Sequence, residues 1–293
     1  MKQLLILSGK GGTGKTTVAG AFIRLASARA YADCDVDAPN LHLSIAQTVE
    51  AEREDYFGMP KAQINADQCT GCGQCKTNCR FDAILQDYGY TVDPFACEGC
   101  GVCATLCPAG AVSMHPAVAG EQMLYLSESV VFSTAQLKMG SGTSGKLVTE
   151  VKRRMITAAG KETQLAIIDG SPGIGCPVIA SLSGVSQVLI VAEPSISGLS
   201  DMERITHTAL LFHAPLCVCV NKATTNFELT GRIEQVCKEK GIPFVGNIPF
   251  DPEAIRLINE GLTIADADCP SGRAVREIFS ETMRLLEQEP YRK

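Results

Sequence analysis

Short apolar runs separated by turn-forming residues set the pattern of this chain. Leu4-Leu5-Ile6-Leu7, Leu165-Ala166-Ile167-Ile168, Val188 to Ala192, Leu216 to Val220 and Phe244 to Phe250 each have the length and composition of a buried strand. Another short strand is expected to end near Asp33, and the alternation from Met123 to Phe132 predicts one more. Helical stretches fall between these runs. One follows Lys15. Another covers Leu147 to Ala159, with Leu147, Val148, Val151 and Met155 on one face. A third starts at Ser200, and a fourth follows Asp251-Pro252. The last spans Ser271 to Gln288, with Val275, Ile278, Phe279, Met283 and Leu286 on one face. Its polar face mixes both signs of charge, which suggests a helix docked on the core rather than on a membrane. At 293 residues the chain should hold one large α/β domain or two smaller ones.

The regularity breaks between about residues 64 and 115. Glycines, cysteines and short polar segments replace the periodic runs. Eight of the fourteen cysteines fall here, in two runs of the form C-x2-C-x2-C-x3-C. The first is Cys69, Cys72, Cys75 and Cys79; the second is Cys97, Cys100, Cys103 and Cys107. Each cysteine of the second run lies 28 positions after its counterpart, the mark of a duplicated unit. The N-terminus leads straight into the first predicted strand, with no visible signal peptide and no apolar run long enough to span a bilayer. A cytoplasmic location is therefore expected. In a reducing compartment spaced cysteines read as metal ligands rather than as a disulfide framework. C-x2-C pairs also serve structural zinc, which is the plain alternative to iron–sulfur.

Three further stretches carry chemistry. Between the first strand and its helix lies Gly9-Lys10-Gly11-Gly12-Thr13-Gly14-Lys15-Thr16-Thr17, which fits G-x4-G-K-[ST]. Glycines allow backbone N–H groups to curl around an anion, and the helix N-terminus adds more donors. Gly11, Gly12, Thr13, Gly14, Lys15, Thr16 and Thr17 are the expected phosphate contacts. Lys15 would reach the β- and γ-phosphates and Thr16 would join a Mg2+ shell. A glycine turn joining strand to helix is the bland reading. Asp33, Asp35 and Asp37 follow the second strand, where carboxylates can hold Mg2+ or polarise water, or can simply cap a turn. Asp169-Gly170-Ser171-Pro172-Gly173 ends a buried strand, and an aspartate there holds Mg2+ in nucleotide hydrolases. Asn221 can read a purine with its amide or cap a turn. The net charge of −6, the absence of Trp and an aromatic content of 5% argue against nucleic acid and against an anionic membrane as main partners.

Lys10, directly after Gly9, gives K-G-G-T-G-K-T-T. This resembles the deviant phosphate loop of the MinD/ParA superfamily, which includes the nitrogenase iron protein and Mrp-type iron–sulfur carriers. Asp33-Cys34-Asp35 resembles its first switch and Asp169-Gly170-Ser171-Pro172-Gly173 its second; Asn221-Lys222 continues the likeness. The resemblance implies a mostly parallel, twisted sheet with helices on both faces and right-handed crossovers. It implies a nucleotide-dependent homodimer in which Lys10 crosses to the partner's phosphates. Asp35 would orient the attacking water, with Asp33 nearer Mg2+. The cysteine runs resemble bacterial two-cluster ferredoxins, in which the fourth cysteine of each run serves the other cluster. That likeness assigns Cys69, Cys72, Cys75 and Cys107 to one [4Fe–4S] cluster, and Cys79, Cys97, Cys100 and Cys103 to the second. Arg80 stands where the second run has Pro108. The implied organisation is residues 1–60 and 118–293 as the ATPase and 61–117 as an inserted ferredoxin.

Cys176 lies seven residues after Asp169, the offset of a cluster ligand in the nitrogenase iron protein. No second cysteine lies between Cys107 and Cys176, so a buried structural thiol is expected there. Cys217 and Cys219 are read as pointing to opposite faces of their strand, hence not as a ligand pair. Three functions follow: an ATP-driven switch gating electron transfer to a partner protein, a metallocluster carrier or assembly factor, and a MinD-like positioning ATPase.

Overall fold

The computed structural model describes residues 1–288. In chain order the elements are β1 (Lys2–Leu7), α1 (Lys15–Ala26), β2 (Ala30–Asp33), α2 (Leu41–Ser44), β3 (Ala51–Phe57), β4 (Lys61–Ile64), α3 (Gln74–Thr77), β5 (Ile84–Gln86), β6 (Tyr90–Val92), α4 (Val102–Leu106), β7 (Val112–His115), β8 (Val118–Leu126) and β9 (Val131–Leu137). Then come α5 (Ser144–Ala158), β10 (Leu165–Asp169), α6 (Cys176–Leu182), β11 (Gln187–Ala192), α7 (Ile196–Leu211), β12 (Leu216–Asn221), α8 (Phe227–Glu239), β13 (Phe244–Ile248), α9 (Pro252–Asn259) and α10 (Pro270–Glu287). The chain divides into two compact units. Of the described residues, the larger holds 1–52, 123–135 and 145–288; the smaller holds 53–122 and 136–144.

A sheet ordered β13-β12-β11-β1-β10-β2-β9 organises the larger unit, and β8 and β3 complete the nine-stranded order. Every pairing from β13 to β9 is parallel. The sequence explains this. Parallel strands need crossover helices and are buried on both faces, so they read as continuous apolar runs. Leu4 and Ile6 share one core with Leu189, Val191, Cys217, Cys219, Val18 and Phe22 of α1, and Val275 and Ile278 of α10. Leu5 and Leu7 point the other way and are equally inaccessible. The rings of Phe22 and Phe279 meet edge to face at 5.1 Å, tying α10 onto α1. The predicted apolar face of α5, Leu147, Val148, Val151 and Met155, is fully buried.

Three expectations need correction. The run from Met123 to Phe132 is not one strand; β8 and β9 are separated by a turn. Its polar Ser-Glu-Ser sequence allows Ser127 N–H to donate to the Val130 carbonyl at 3.0 Å and Val130 N–H to donate to Ser127 Oγ at 3.1 Å. Helix α7 begins at Ile196 rather than Ser200, because Ser195 Oγ accepts from Gly198 N–H at 3.0 Å and caps it. Cys217 and Cys219 belong to the same face, since residues two apart on a strand project alike; both lie in the core with α1 and α10.

The smaller unit carries its duplication into its pairing. β4 pairs antiparallel with β7, and β5 with β6. The first strand of each repeat therefore pairs with the second strand of the other. Matched hydrogen bonds follow the same 28-residue period. Asn65 N–H donates to Ala111 O and Asp93 N–H to Ala83 O, each at 2.8 Å. Ala62, Ala83, Cys97 and Val112 form its core.

Candidate functional site

Because their strands run parallel, the segments after β1, β2, β10, β11, β12 and β13 emerge at one edge of the sheet, where open α/β sheets bind ligands. A cavity of about 780 Å³ lies there. Gly11, Gly12, Thr13, Gly14, Lys15, Thr16, Thr17, Asp35, Asp37 and Asn221 all line it. The loop before α1 is held from β12: Asn221 Nδ2 donates to Thr13 O at 2.7 Å and Lys222 Nζ to Gly12 O at 2.8 Å. Asn221 thus braces the phosphate loop besides facing the cavity. Gly14, at φ 91°, has room for this only without a Cβ, which would stand 2.1 Å from Asn221 Nδ2. The Thr13 hydroxyl is buried and without a hydrogen-bond partner among the described residues.

Beneath the loop, charged groups converge. Lys15 Nζ meets Asp169 Oδ1 at 2.5 Å, and Thr16 Oγ1 donates to Asp169 Oδ2 at 2.7 Å. Burial alone would lower the Lys15 pKa, but the Asp169 carboxylate outweighs it and holds the ammonium above its usual range. Asp33 is wholly buried and accepts three backbone N–H bonds, from Asp35 at 3.0 Å and from Asn40 and Leu41 at 2.9 Å each. These bonds shape the 35–41 segment so that Asp35 lines the cavity. Burial, followed by the Asp169 charge, pushes the Asp33 carboxyl up to about 7. Burial also raises the Asp35 carboxyl. The structure therefore brings Thr16 and Asp169 into direct contact, with Asp33 engaged by its own loop.

Lys10 lies apart from that contact. Its Nζ donates to Ser197 Oγ at 3.0 Å and Ser195 Oγ at 3.3 Å, with Glu193 at 3.8 Å. Cys34 is buried, and Ser171 Oγ donates to its carbonyl. Cys176 is exposed at the start of α6, not buried as expected; the turn after Asp169 carries residues 174–176 outward. The sequence reading missed one wall of the cavity, made by Pro249, Phe250, Ala254, Ile255 and Ile258. Phe250 and Ile255 are half exposed there. The signal was available: β13 ends at the same edge as every other parallel strand.

In the smaller unit, Cys79, Cys97, Cys100 and Cys103 line one pocket together with Gly99 and Gly101. Cys79 comes from the first run and the other three from the second. Cys75 lies close enough to Cys69 and Cys107 to feel their charges, which add to burial in raising its thiol pKa. Cys103 is raised likewise, by burial and then by Cys97 and Cys100. Gly73 and Gly101, at φ 73° and 76°, start α3 and α4 at matched positions. Among the described residues no group of three or more His, Cys, Asp or Glu closes up around a single metal ion. Among them, too, no helix is long and apolar enough to cross a membrane.

Several known proteins are similar to this chain in sequence or in fold. An uncharacterized protein of Methanocaldococcus jannaschii, MJ0578, is 29% identical over 292 residues, spanning 97% of each chain. The iron-sulfur cluster carrier protein of the same organism is 24% identical over 140 residues, 43% of this chain and 48% of that one. The septum site-determining protein MinD of Pyrococcus horikoshii, solved in complex with Mg-ADP, superposes with a TM-score of 0.58 over 98% of this chain and 97% of its own. At 16% identity that likeness speaks for the fold alone. Residues 4–264 match the CobQ/CobB/MinD/ParA nucleotide binding domain, and the chain belongs to that family.

Proposed function

We propose that this protein is a Mg2+-dependent ATPase that works as a nucleotide-controlled dimer and couples its nucleotide state to electron transfer, through two [4Fe–4S] clusters, to a partner protein. The observation that carries the reading is the presence in one chain of a phosphate-loop cavity and of a cradle lined by Cys79, Cys97, Cys100 and Cys103. Each part has its own support. Thr13 offers, within the loop, a hydroxyl with no partner among the described residues. Lys15 and Thr16 share Asp169, and Asp33 and Asp35 add buried or half-buried negative charge. One lysine among three carboxylates leaves an excess of negative charge that Mg2+ would neutralise, with Thr16 and Asp169 as its holders. Lys15 would then turn to the phosphates, Asp35 would orient water, and Pro249 and Phe250 would flank the base. Bound clusters would supply one-electron carriers. Their ligands in this reading are Cys69, Cys72, Cys75 and Cys107 for one, and Cys79, Cys97, Cys100 and Cys103 for the other. The all-thiol donor set and the glycines that bring backbone close to it fit such a group.

The test is the ATPase rate and the dimer state, measured with the clusters oxidised and then reduced. Coupling predicts that at least one changes with oxidation state. If both stay constant, the two halves work independently and the coupling is wrong. A second reading is favoured by the iron-sulfur cluster carrier protein among the relatives: the clusters are cargo. A carrier passes its iron to an apo-acceptor and is left empty, whereas an electron-transfer protein keeps it through repeated redox cycles.

A further inference from the structure

The two cysteine runs are copies, so departures at matched positions mark where the two cradles have been made different. We infer that Lys61 is a positioning residue for one cradle only: it holds the loop of Cys97 and raises the reduction potential of the cluster bound by Cys79, Cys97, Cys100 and Cys103. The inference rests on the iron–sulfur reading above.

Lys61 opens β4, where its pairing with His115 of β7 fixes its place. Its Nζ donates to the carbonyl oxygen of Cys97, the buried residue that begins the second run. The matched position in the other half, 28 residues on, is Gly89. Gly89 has no side chain and faces open space. Cys69, the counterpart of Cys97, therefore receives no such charge from the matched strand.

A fixed positive charge next to a ligand residue favours the reduced, more negative form of the group that residue holds, and so raises its potential. The other charges nearby do not reproduce this contact. Lys76, matched to Ala104, is exposed and reaches toward Gln86 Oε1 at 3.5 Å. Arg80, matched to Pro108, is exposed. Glu98, matched to Thr70, lines the same small pocket as Lys61 and opposes it, but it too is exposed and its field is screened by water and salt. Lys61 is the charge among these that donates to a ligand residue's backbone.

The experiment is a reductive titration with dithionite of the full chain, isolated without oxygen and followed by electron paramagnetic resonance. Wild type is compared with Lys61→Met, Lys61→Gln and Lys61→Arg. Lys61→Met should lower one midpoint and leave the other in place, by a roughly tenfold change in the reduction equilibrium, about 59 mV for one electron. The signal that moves should be the one missing from Cys100→Ala. Lys61→Gln keeps a donor without the charge and should behave like Lys61→Met; it carries the test if the Met variant does not fold. Lys61→Arg should restore the wild-type midpoint. Two midpoints that move together, or neither moving, or Arg behaving like Met, would overturn the role of Lys61 and leave the iron–sulfur reading standing. Wild-type protein that binds no iron and sulfide would overturn that reading itself, and this inference with it.

Discussion

Lys152 shows how much one side chain can commit. It is only 5% exposed, and its Nζ donates to the carbonyls of Ser181 and Ser183 at 2.6 Å each. Those carbonyls close α6, whose last turn has no intrahelical donors of its own. The ammonium also sits at the negative end of that helix. Burial lowers its pKa, so folding costs more when it is charged. A Met at this position relieves that desolvation but leaves the Ser181 and Ser183 carbonyls without these donors, and the lost bonds are the larger cost. Lys152→Met is therefore expected to destabilise the protein by about 1–3 kcal/mol, read as a lower urea midpoint at neutral pH. The pH dependence has a definite sign. Between the lowered folded pKa and the ordinary value of 10.5, the unfolded chain holds the extra proton. Stability of the wild type relative to the Met variant should therefore rise with pH in that alkaline window. An unchanged midpoint would mean that α6 is closed without Lys152.

At the scale of elements, the duplicated cysteine segment makes the sharpest claim. β4 pairs with β7 and β5 with β6, so each repeat completes the other. The pocket of Cys79 with Cys97, Cys100 and Cys103 follows the same exchange. Paired substitutions test it. Cys79→Ala with Cys100→Ala removes two ligands from one cradle, and the protein should keep about four of about eight iron atoms. Cys79→Ala with Cys72→Ala damages both cradles and should keep almost none. The reverse result would mean that each run holds its own cluster. The duplication was legible in the sequence because a 28-residue period survives in the cysteines and glycines themselves, whereas the exchange of fourth cysteines came only from the likeness to two-cluster ferredoxins. The parallel sheet was legible for a related reason: strands buried on both faces leave unbroken apolar runs. What escaped depends on long-range contacts. The β8–β9 turn hides inside a run that alternates passably throughout. The half-exposed Phe250 and Ile255 look like ordinary surface residues until β13 delivers them to the cavity edge. The exposure of Cys176 depends on how the turn before α6 is laid, which residue type does not encode.

For the whole molecule, the proposed dimer turns on Lys10 and on what that residue would give up to work across it. Within one chain its ammonium has two hydroxyl partners, Ser195 and Ser197, and a carboxylate at 3.8 Å. The Lys10 side chain is 34% exposed and Glu193 is 25% exposed, so this ion pair contributes little, about 0–1 kcal/mol. A triphosphate across a closed interface offers several negative oxygens away from bulk water. Each charge-assisted bond there is worth about 1.5–3 kcal/mol. A two-fold dimer uses Lys10 twice, once from each protomer. Before the contacts to Ser195, Ser197 and Glu193 are subtracted, the exchange favours the dimer by about 3–6 kcal/mol, an upper bound of about 10² to 10⁴ in its association constant. Lys10→Ala should lose that factor in ATP-dependent dimerisation, measured by sedimentation with a non-hydrolysable nucleotide. It should still bind nucleotide as a monomer, because Lys15, Thr16 and the loop braced by Asn221 are untouched. A variant that dimerises as tightly as wild type would confine Lys10 to its own chain. A variant that no longer binds nucleotide at all would make it part of the monomer's loop instead. Separating these outcomes decides whether closure of two protomers, rather than filling of one cavity, is the event that the nucleotide times.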